Sequence, residues 1–139
     1  MEQYTCGALL KQINDVMEKN ANNALRGQNL TISQSGVLVS LDEKEEKTAT
    51  FKELEKEFGV SQPTMAGLLS RLEQKKLVEI LTDPEDKRIR LAHLTKEGAD
   101  KCKEGYKHMK SAEELLLNSL TATEKQEFLR LLLKIRSSI

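Results

Sequence analysis

The sequence predicts a mainly α-helical domain with one small β-hairpin, an α+β fold, and three observations predict it. Apolar residues recur every three or four positions through most of the chain, the period of a helix with one buried face. Thr31-x-x-Gln34, Thr50-x-x-Glu53 and Thr121-x-x-Glu124 have the form of capping boxes, in which side-chain oxygens satisfy free backbone N–H groups at a helix start. Two short β-rich runs flank the charged turn Asp83-Pro84-Glu85-Asp86-Lys87-Arg88.

Size and composition set the outer limits. The 139 residues have room for one core and none for a separate catalytic domain. With 38% apolar and 32% charged residues, two prolines and no tryptophan, the chain suits a soluble, mostly helical protein. No run approaches the roughly 20 apolar residues of a membrane helix, and the N-terminus lacks the build of a signal peptide, so a cytoplasmic location is expected. Twenty-two basic residues balance twenty-two acidic ones, and any nucleic-acid partner has to be argued locally.

The first helix is expected over about residues 5–25, with Leu9, Leu10, Ile13, Val16, Met17 and Ala24 at helical spacing and Gly27 just beyond. The Thr31 capping box starts a second helix, whose apolar side carries Val37, Leu38 and Leu41. The charge run from Asp42 to Lys47 reads as a solvated linker loop. The Thr50 box starts a short helix with Leu54 and Phe58, which Gly59 ends in the left-handed conformation open to glycine. Ser61 caps the next helix, over about residues 62–76, where Pro63 is tolerated in the first turn and Met65, Leu68, Leu69 and Leu72 form a buried stripe.

Residues 77–82 and 89–94 are expected to pair as a hairpin, with Val78, Ile80, Ile89 and Leu91 alternating on one face. Thr95 caps a long helix carrying Ala99, Cys102, Tyr106, Met109 and Leu116. Thr121 with Glu124 caps a final helix carrying Phe128, Leu131, Leu132 and Ile135.

A short helix, a glycine turn and a striped second helix make a helix-turn-helix, and a hairpin directly after it makes the winged form. Opposite the stripe lie Pro63, Gly67, Ser70, Arg71 and Gln74, with Gln62 and Thr64 near the helix N-terminus. Small and polar residues there suit a major groove, which admits a helix whose N-terminal side chains meet base edges. Residues 61–96 hold seven Lys/Arg against five Asp/Glu, whereas residues 42–57 hold four against seven, so positive charge gathers where the helix and hairpin lie. Asp86 is close enough in sequence to orient Arg88 or Arg90, and an arginine at a hairpin tip can enter a minor groove.

The stretches SQPTMAGLLSRLEQKKLV and DPEDKRIRLAHLT, with the LTKEG that overlaps the second, resemble the MarR family of winged-helix transcription regulators over essentially the whole chain. The family's six helices, with a wing between the fourth and fifth, are matched in order, and the D-x-x-D-x-R turn leading to L-T-x-x-G is the most specific motif. The resemblance implies a homodimer that binds a pseudo-palindromic operator in double-stranded DNA, as a repressor released by a small-molecule effector or by thiol oxidation. It implies one domain over residues 1–139, with 1–30 and 96–139 mainly dimerising and 31–95 forming the DNA-binding lobe.

Ser61, Gln62, Thr64 and Arg71 then resemble DNA contacts of the recognition helix, and Ser70 shares their face. Arg88 resembles the wing arginine of the minor groove with Asp86 as its support, and Lys87 and Arg90 become expected phosphate contacts. Gly67 departs from the pattern, since the family often places arginine or another polar residue there. Leu9 and Ile13 on the first helix and Phe128, Leu131, Leu132 and Ile135 on the last are the expected dimerisation residues, and the last helix carries more apolar residues than one stripe needs.

The signal read by such a protein is less legible. Cys6 sits roughly where a peroxide-sensing branch of the family keeps its cysteine, but no cation near it in sequence would lower its pKa, and packing is the plainer reading for it and for Cys102. A crevice between the dimer region and the winged lobe is the expected ligand site. His93 and His108 lack neighbours at metal-ligand spacing, so no metal is expected. No phosphate loop, activated nucleophile or acid pair is present, so neither a cofactor nor an enzyme activity is expected. The competing function is a winged helix that binds a protein and not DNA.

Overall fold

A computed structural model of the chain describes residues 4–139. Its contacts cluster into two compact units, one ending at His108 and the other spanning Met109–Ile139, with the division inside a helix.

The first unit opens with α1 (Cys6–Arg26), capped by the Thr5 hydroxyl, which accepts from Ala8 N at 3.2 Å. Leu25 is the one residue of α1 that is buried, and the expected stripe of Leu9, Leu10, Ile13 and Val16 is exposed. α2 (Ile32–Glu43) starts from a complete capping box, in which Thr31 Oγ1 accepts from Gln34 N and Gln34 Oε1 accepts from Thr31 N. Val37, Leu38 and Leu41 are wholly buried on it and Val39 nearly so, which makes α2 the central helix of the core. Gln34 is buried as well, and its amide oxygen also accepts from Lys75 Nζ at 2.9 Å, so the buried polar atom is satisfied from two elements.

The charge run 42–47 is not a linker loop. Asp42 and Glu43 finish α2, Glu45–Lys47 form one 3₁₀ turn, and Thr48–Thr50 form a strand, β1. Glu46 and Lys47 take left-handed φ angles of 54° and 57°, which reverses the chain in few residues at a cost non-glycine residues seldom bear. Lys47 anchors the reversal, with Nζ 3.0 Å from Asp42 Oδ1 and 2.6 Å from Asp42 O. Tyr106 donates to the other oxygen of Asp42 at 2.8 Å, and both bonds hold that carboxyl below the ordinary aspartate pKa, Lys47 contributing most.

α3 (Phe51–Phe58) follows, with Thr50 Oγ1 accepting from Glu53 N, and it ends at Gly59, whose φ of 63° lets its N–H reach the carbonyls of Glu55 and Lys56. α4 (Gln62–Gln74) buries Met65, Leu69 and Leu72, while Leu68 is half-buried at the edge of the core. It stops two residues earlier than expected because Lys75 caps it and Lys76 turns left-handed at φ 65°.

β2 (Val78–Thr82) and β3 (Arg90–Leu94) form the hairpin, and β1 adds to the far side of β3, giving the antiparallel order β1-β3-β2. The expected inward face of β3 is one residue out of phase. Val78 pairs with Leu94 and Ile80 with Ala92, so Ala92 and Leu94 are buried, while Ile89 precedes the strand and is exposed. With a side-chain period of two, that register turns Leu91 to the other face, opposite Thr50 and Leu81.

α5 (Lys96–Leu117) begins at Thr95, whose hydroxyl accepts from Gly98 N and donates to Lys76 O. Gly98, Cys102 and Gly105 are its buried residues, and burial pushes the Cys102 thiol up to about 11. Gly98 is required by space: a Cβ there would stand 2.1 Å from Leu77 O.

The second unit contains the end of α5 and α6 (Ala122–Ser137), which starts from a complete Thr121/Glu124 capping box. No residue of α6 is buried. Phe128 and Leu132 are half-buried, whereas Leu129, Leu131, Leu133 and Ile135 are exposed.

Candidate nucleic-acid interface

The stripe that fixes α4 in the core also aims its opposite face outward. Gln62, Pro63, Thr64, Ser70, Arg71 and Gln74 are all exposed on it. Ser61 is engaged locally as the cap: its hydroxyl donates to Thr64 Oγ1 at 3.0 Å and accepts from Thr64 N at 3.4 Å. Gln62 thus has the freer side chain at the head of the helix. Gly67 lies one turn before Arg71, whose Nη1 would be in ordinary contact, at 3.8 Å, with a Cβ at Gly67, so the arginine lies along the helix over the glycine.

The wing tip is ordered by its own turn. Asp83 N donates to Ile89 O, Ile89 N to Asp86 O, and the Asp83 carboxylate accepts from Glu85 N. Asp86 accepts three bonds from Arg88: from its backbone N at 3.0 Å, and from Nε and Nη2 at 3.1 Å each. The fork geometry fixes the guanidinium plane, and the Arg88 guanidinium and N–H together hold the Asp86 carboxyl below its ordinary value. Arg88 is nevertheless 91% exposed, so this pairing positions the side chain without burying it. Of the two arginines the sequence offered to Asp86, Arg88 takes it.

Arg90 instead lies over the Phe51 ring, its guanidinium carbon 4.5 Å from the centroid. Lys87 is exposed beside them. A cleft of about 520 Å³ opens between the starts of α3 and α4 and the wing, lined among others by Phe51, Lys52, Glu55, Gln62, Arg88 and Arg90. The fold therefore gathers Gln62, Arg88 and Arg90 around one cleft, while the lining of that cleft does not include Ser70, Arg71 or Lys87. Phe51, Lys52 and Glu55 are the members of this named group that the sequence reading missed. Their placement follows from β1, whose three residues after a charge run carry too short a pattern to read as a strand by themselves.

The remaining candidates sort by exposure. Cys102 is buried as expected, whereas Cys6, also expected to pack, is exposed at the first position of α1. His93 Nδ1 lies 2.8 Å from Thr48 Oγ1 and His108 Nε2 lies 3.2 Å from Gln28 Nε2, so each histidine is engaged within the fold. Among the described residues no group of three or more His, Cys, Asp or Glu could hold a metal ion, and no helix is long and apolar enough to cross a membrane.

Comparison with known proteins agrees with this geometry. The MarR family model matches residues 28–89, from the end of the α1–α2 turn to the wing. The DNA complex of MepR from S. aureus is similar at a TM-score of 0.89, with 26% identity over 98% of this chain and 99% of that one. Apo MarR from E. coli gives a TM-score of 0.80 and 30% identity over 94% and 96% of the two chains. A cysteine mutant of E. coli MarR bound to operator DNA gives 0.83 and 30% over 96% and 95%. No curated protein matches the sequence. With 30% identity to E. coli MarR over nearly the full length of both chains, the chain belongs to the MarR family of winged-helix transcription regulators.

Proposed function

We propose that the protein is a sequence-specific DNA-binding repressor that acts as a homodimer on a pseudo-palindromic operator and is released by a small ligand. The observation that carries this reading is the pairing of Arg88 with Asp86 at an exposed wing tip, beside a recognition helix whose free face is small and polar. In a major groove, Gln62, Thr64 and Arg71 would meet base edges or phosphates, and Arg88 would enter the adjacent minor groove, where negative potential is focused. MepR and MarR have each been seen with DNA, which supports the same role for this chain.

Homodimer formation is supported by exposed apolar side chains within each unit: Leu9, Leu10, Ile13 and Val16 on α1, and Leu129, Leu131, Leu133 and Ile135 on α6. Effector binding is supported by the 520 Å³ cleft, which lies within the winged lobe and not at the crevice beside the dimer region that the sequence suggested; its lining includes Arg88 and Arg90, so an occupant would compete with DNA. A second reading, thiol sensing, is favoured by one observation: Cys6 is exposed, so oxidant can reach it. A gel-shift with DNA from upstream of the protein's own gene tests the main reading. Retarded, salt-sensitive complexes are expected, and none at low salt would leave the protein-interaction module as the better account.

A further inference from the structure

We infer that Phe51 is a positioning residue for DNA binding: it holds Arg90 as a second, pre-ordered phosphate anchor at the base of the wing. The inference rests on the DNA-binding reading above and adds Phe51, which that reading does not use.

The pair meets because of the sheet. Thr50 pairs with Leu91 in the β1–β3 ladder, so the next residue along, Phe51, comes beside Arg90. Arg90 is tied on its other side to Thr82 of β2, which leaves its backbone little freedom. Phe51 is itself 7% exposed and belongs to the core, so its ring is a fixed platform. The guanidinium carbon lies 4.5 Å from the ring centroid, within the distance at which the ring quadrupole attracts a cation.

The contact with the ring attracts the charge without occupying a carboxylate or carbonyl acceptor. Among the described residues the Arg90 side chain makes no hydrogen bond, in contrast to Arg88, which gives Nε and Nη2 to Asp86. An arginine that is oriented, charged and still has its donors available loses little side-chain entropy when a phosphate arrives. Lys52 lines the same cleft, and the positive end of the α3 dipole lies at Phe51, the first helical residue, so the local field favours an anion. Glu55 and Asp86 are the acidic residues of that lining, and Asp86 is already neutralised by Arg88.

A double-mutant cycle tests this, read by fluorescence anisotropy on a labelled duplex from upstream of the protein's own gene at several salt concentrations. Arg90→Met should weaken binding and flatten the log–log salt dependence by about 0.9, the loss of one phosphate contact. Phe51→Leu should weaken binding about two- to fivefold in the wild-type background and have no effect in the Arg90→Met background. Phe51→Tyr, which keeps the ring, should bind like wild type. Should Phe51→Leu fail to fold, the ring-current shift of the Arg90 δ-protons in the free wild-type protein tests the same positioning, and unshifted protons overturn it. An equal loss from Phe51→Leu in both backgrounds would assign the ring a merely structural role. Wild-type affinity and salt slope in Arg90→Met would overturn the anchor alone, whereas a wild-type protein that binds no DNA overturns the function on which it rests.

Discussion

Replacing Gly98 by alanine should destabilise the first unit, although alanine is the better helix former. An ideal Cβ at this position lies 2.1 Å from Leu77 O and 2.6 Å from Leu94 Cδ1, so α5 and the start of β2 must separate until the contact reaches roughly the 3.4 Å of ordinary packing. Thr95 N donates to that same Leu77 carbonyl at 3.1 Å, and the separation stretches the bond beyond useful length. Overpacking of this kind costs about 1–3 kcal/mol, and the weakened hydrogen bond about 1 kcal/mol more. Alanine returns about 1 kcal/mol through its helix propensity. The net expectation is a loss of about 1–3 kcal/mol, read as a lower urea midpoint at unchanged slope. Gly7→Ala is the control: it is also helical but has no atom within 4 Å of the added Cβ, and it should be neutral or stabilising by up to about 1 kcal/mol. Gly98→Ala with a midpoint equal to or above wild type would refute the close-approach argument.

At the wing, Arg88→Ala should leave the urea midpoint close to the wild-type value, because an exposed ion pair contributes little to folding. It should weaken DNA binding by about 1–3 kcal/mol, with Asp86→Ala acting in the same direction but less, and unchanged affinity in an intact Arg88→Ala protein would remove the wing assignment. Sedimentation should show a dimer at micromolar concentration, and Leu131→Glu or Ile135→Glu on the exposed face of α6 should shift it towards monomer; a wild-type monomer defeats the dimer proposal. Stability should fall in acid. Asp42, held down by Lys47 and Tyr106, and Glu57, held down by Lys44 and Ser40, have folded-state pKa values below the ordinary 3.8 and 4.5. Their contribution is complete above those ordinary values and is lost as pH falls through the lowered ones, since the unfolded chain then binds more protons. Urea midpoints that hold level from about pH 6 to about pH 3 would contradict this.

Features legible in the sequence were those set by residues near one another along the chain. The capping boxes at Thr31 and Thr121, the left-handed stop at Gly59 and the stripe Met65, Leu68, Leu69, Leu72 depend on spacings of three or four residues. They appear in the structure with Leu68 half-buried at the stripe's edge, while the Thr50 box keeps only its hydroxyl bond. That Asp86 would support an arginine of its own turn was legible for the same reason, with Arg88 and Arg90 both offered. Tertiary structure decided what depends on partners distant in sequence. Thr48–Thr50 is a strand only because β3 offers its free edge, and three residues after a charge run give no periodicity to read. The phase of β3 follows from pairing with Val78 and Ile80, and a slip of one residue exchanges Leu91 for Ala92 at the core without altering the apolar count. Asp86 has Arg88 two positions and Arg90 four positions away in sequence, both within reach of one turn. The β1–β3 ladder settles the choice by bringing Phe51 under Arg90, 39 positions away, and leaving Arg88 to the aspartate.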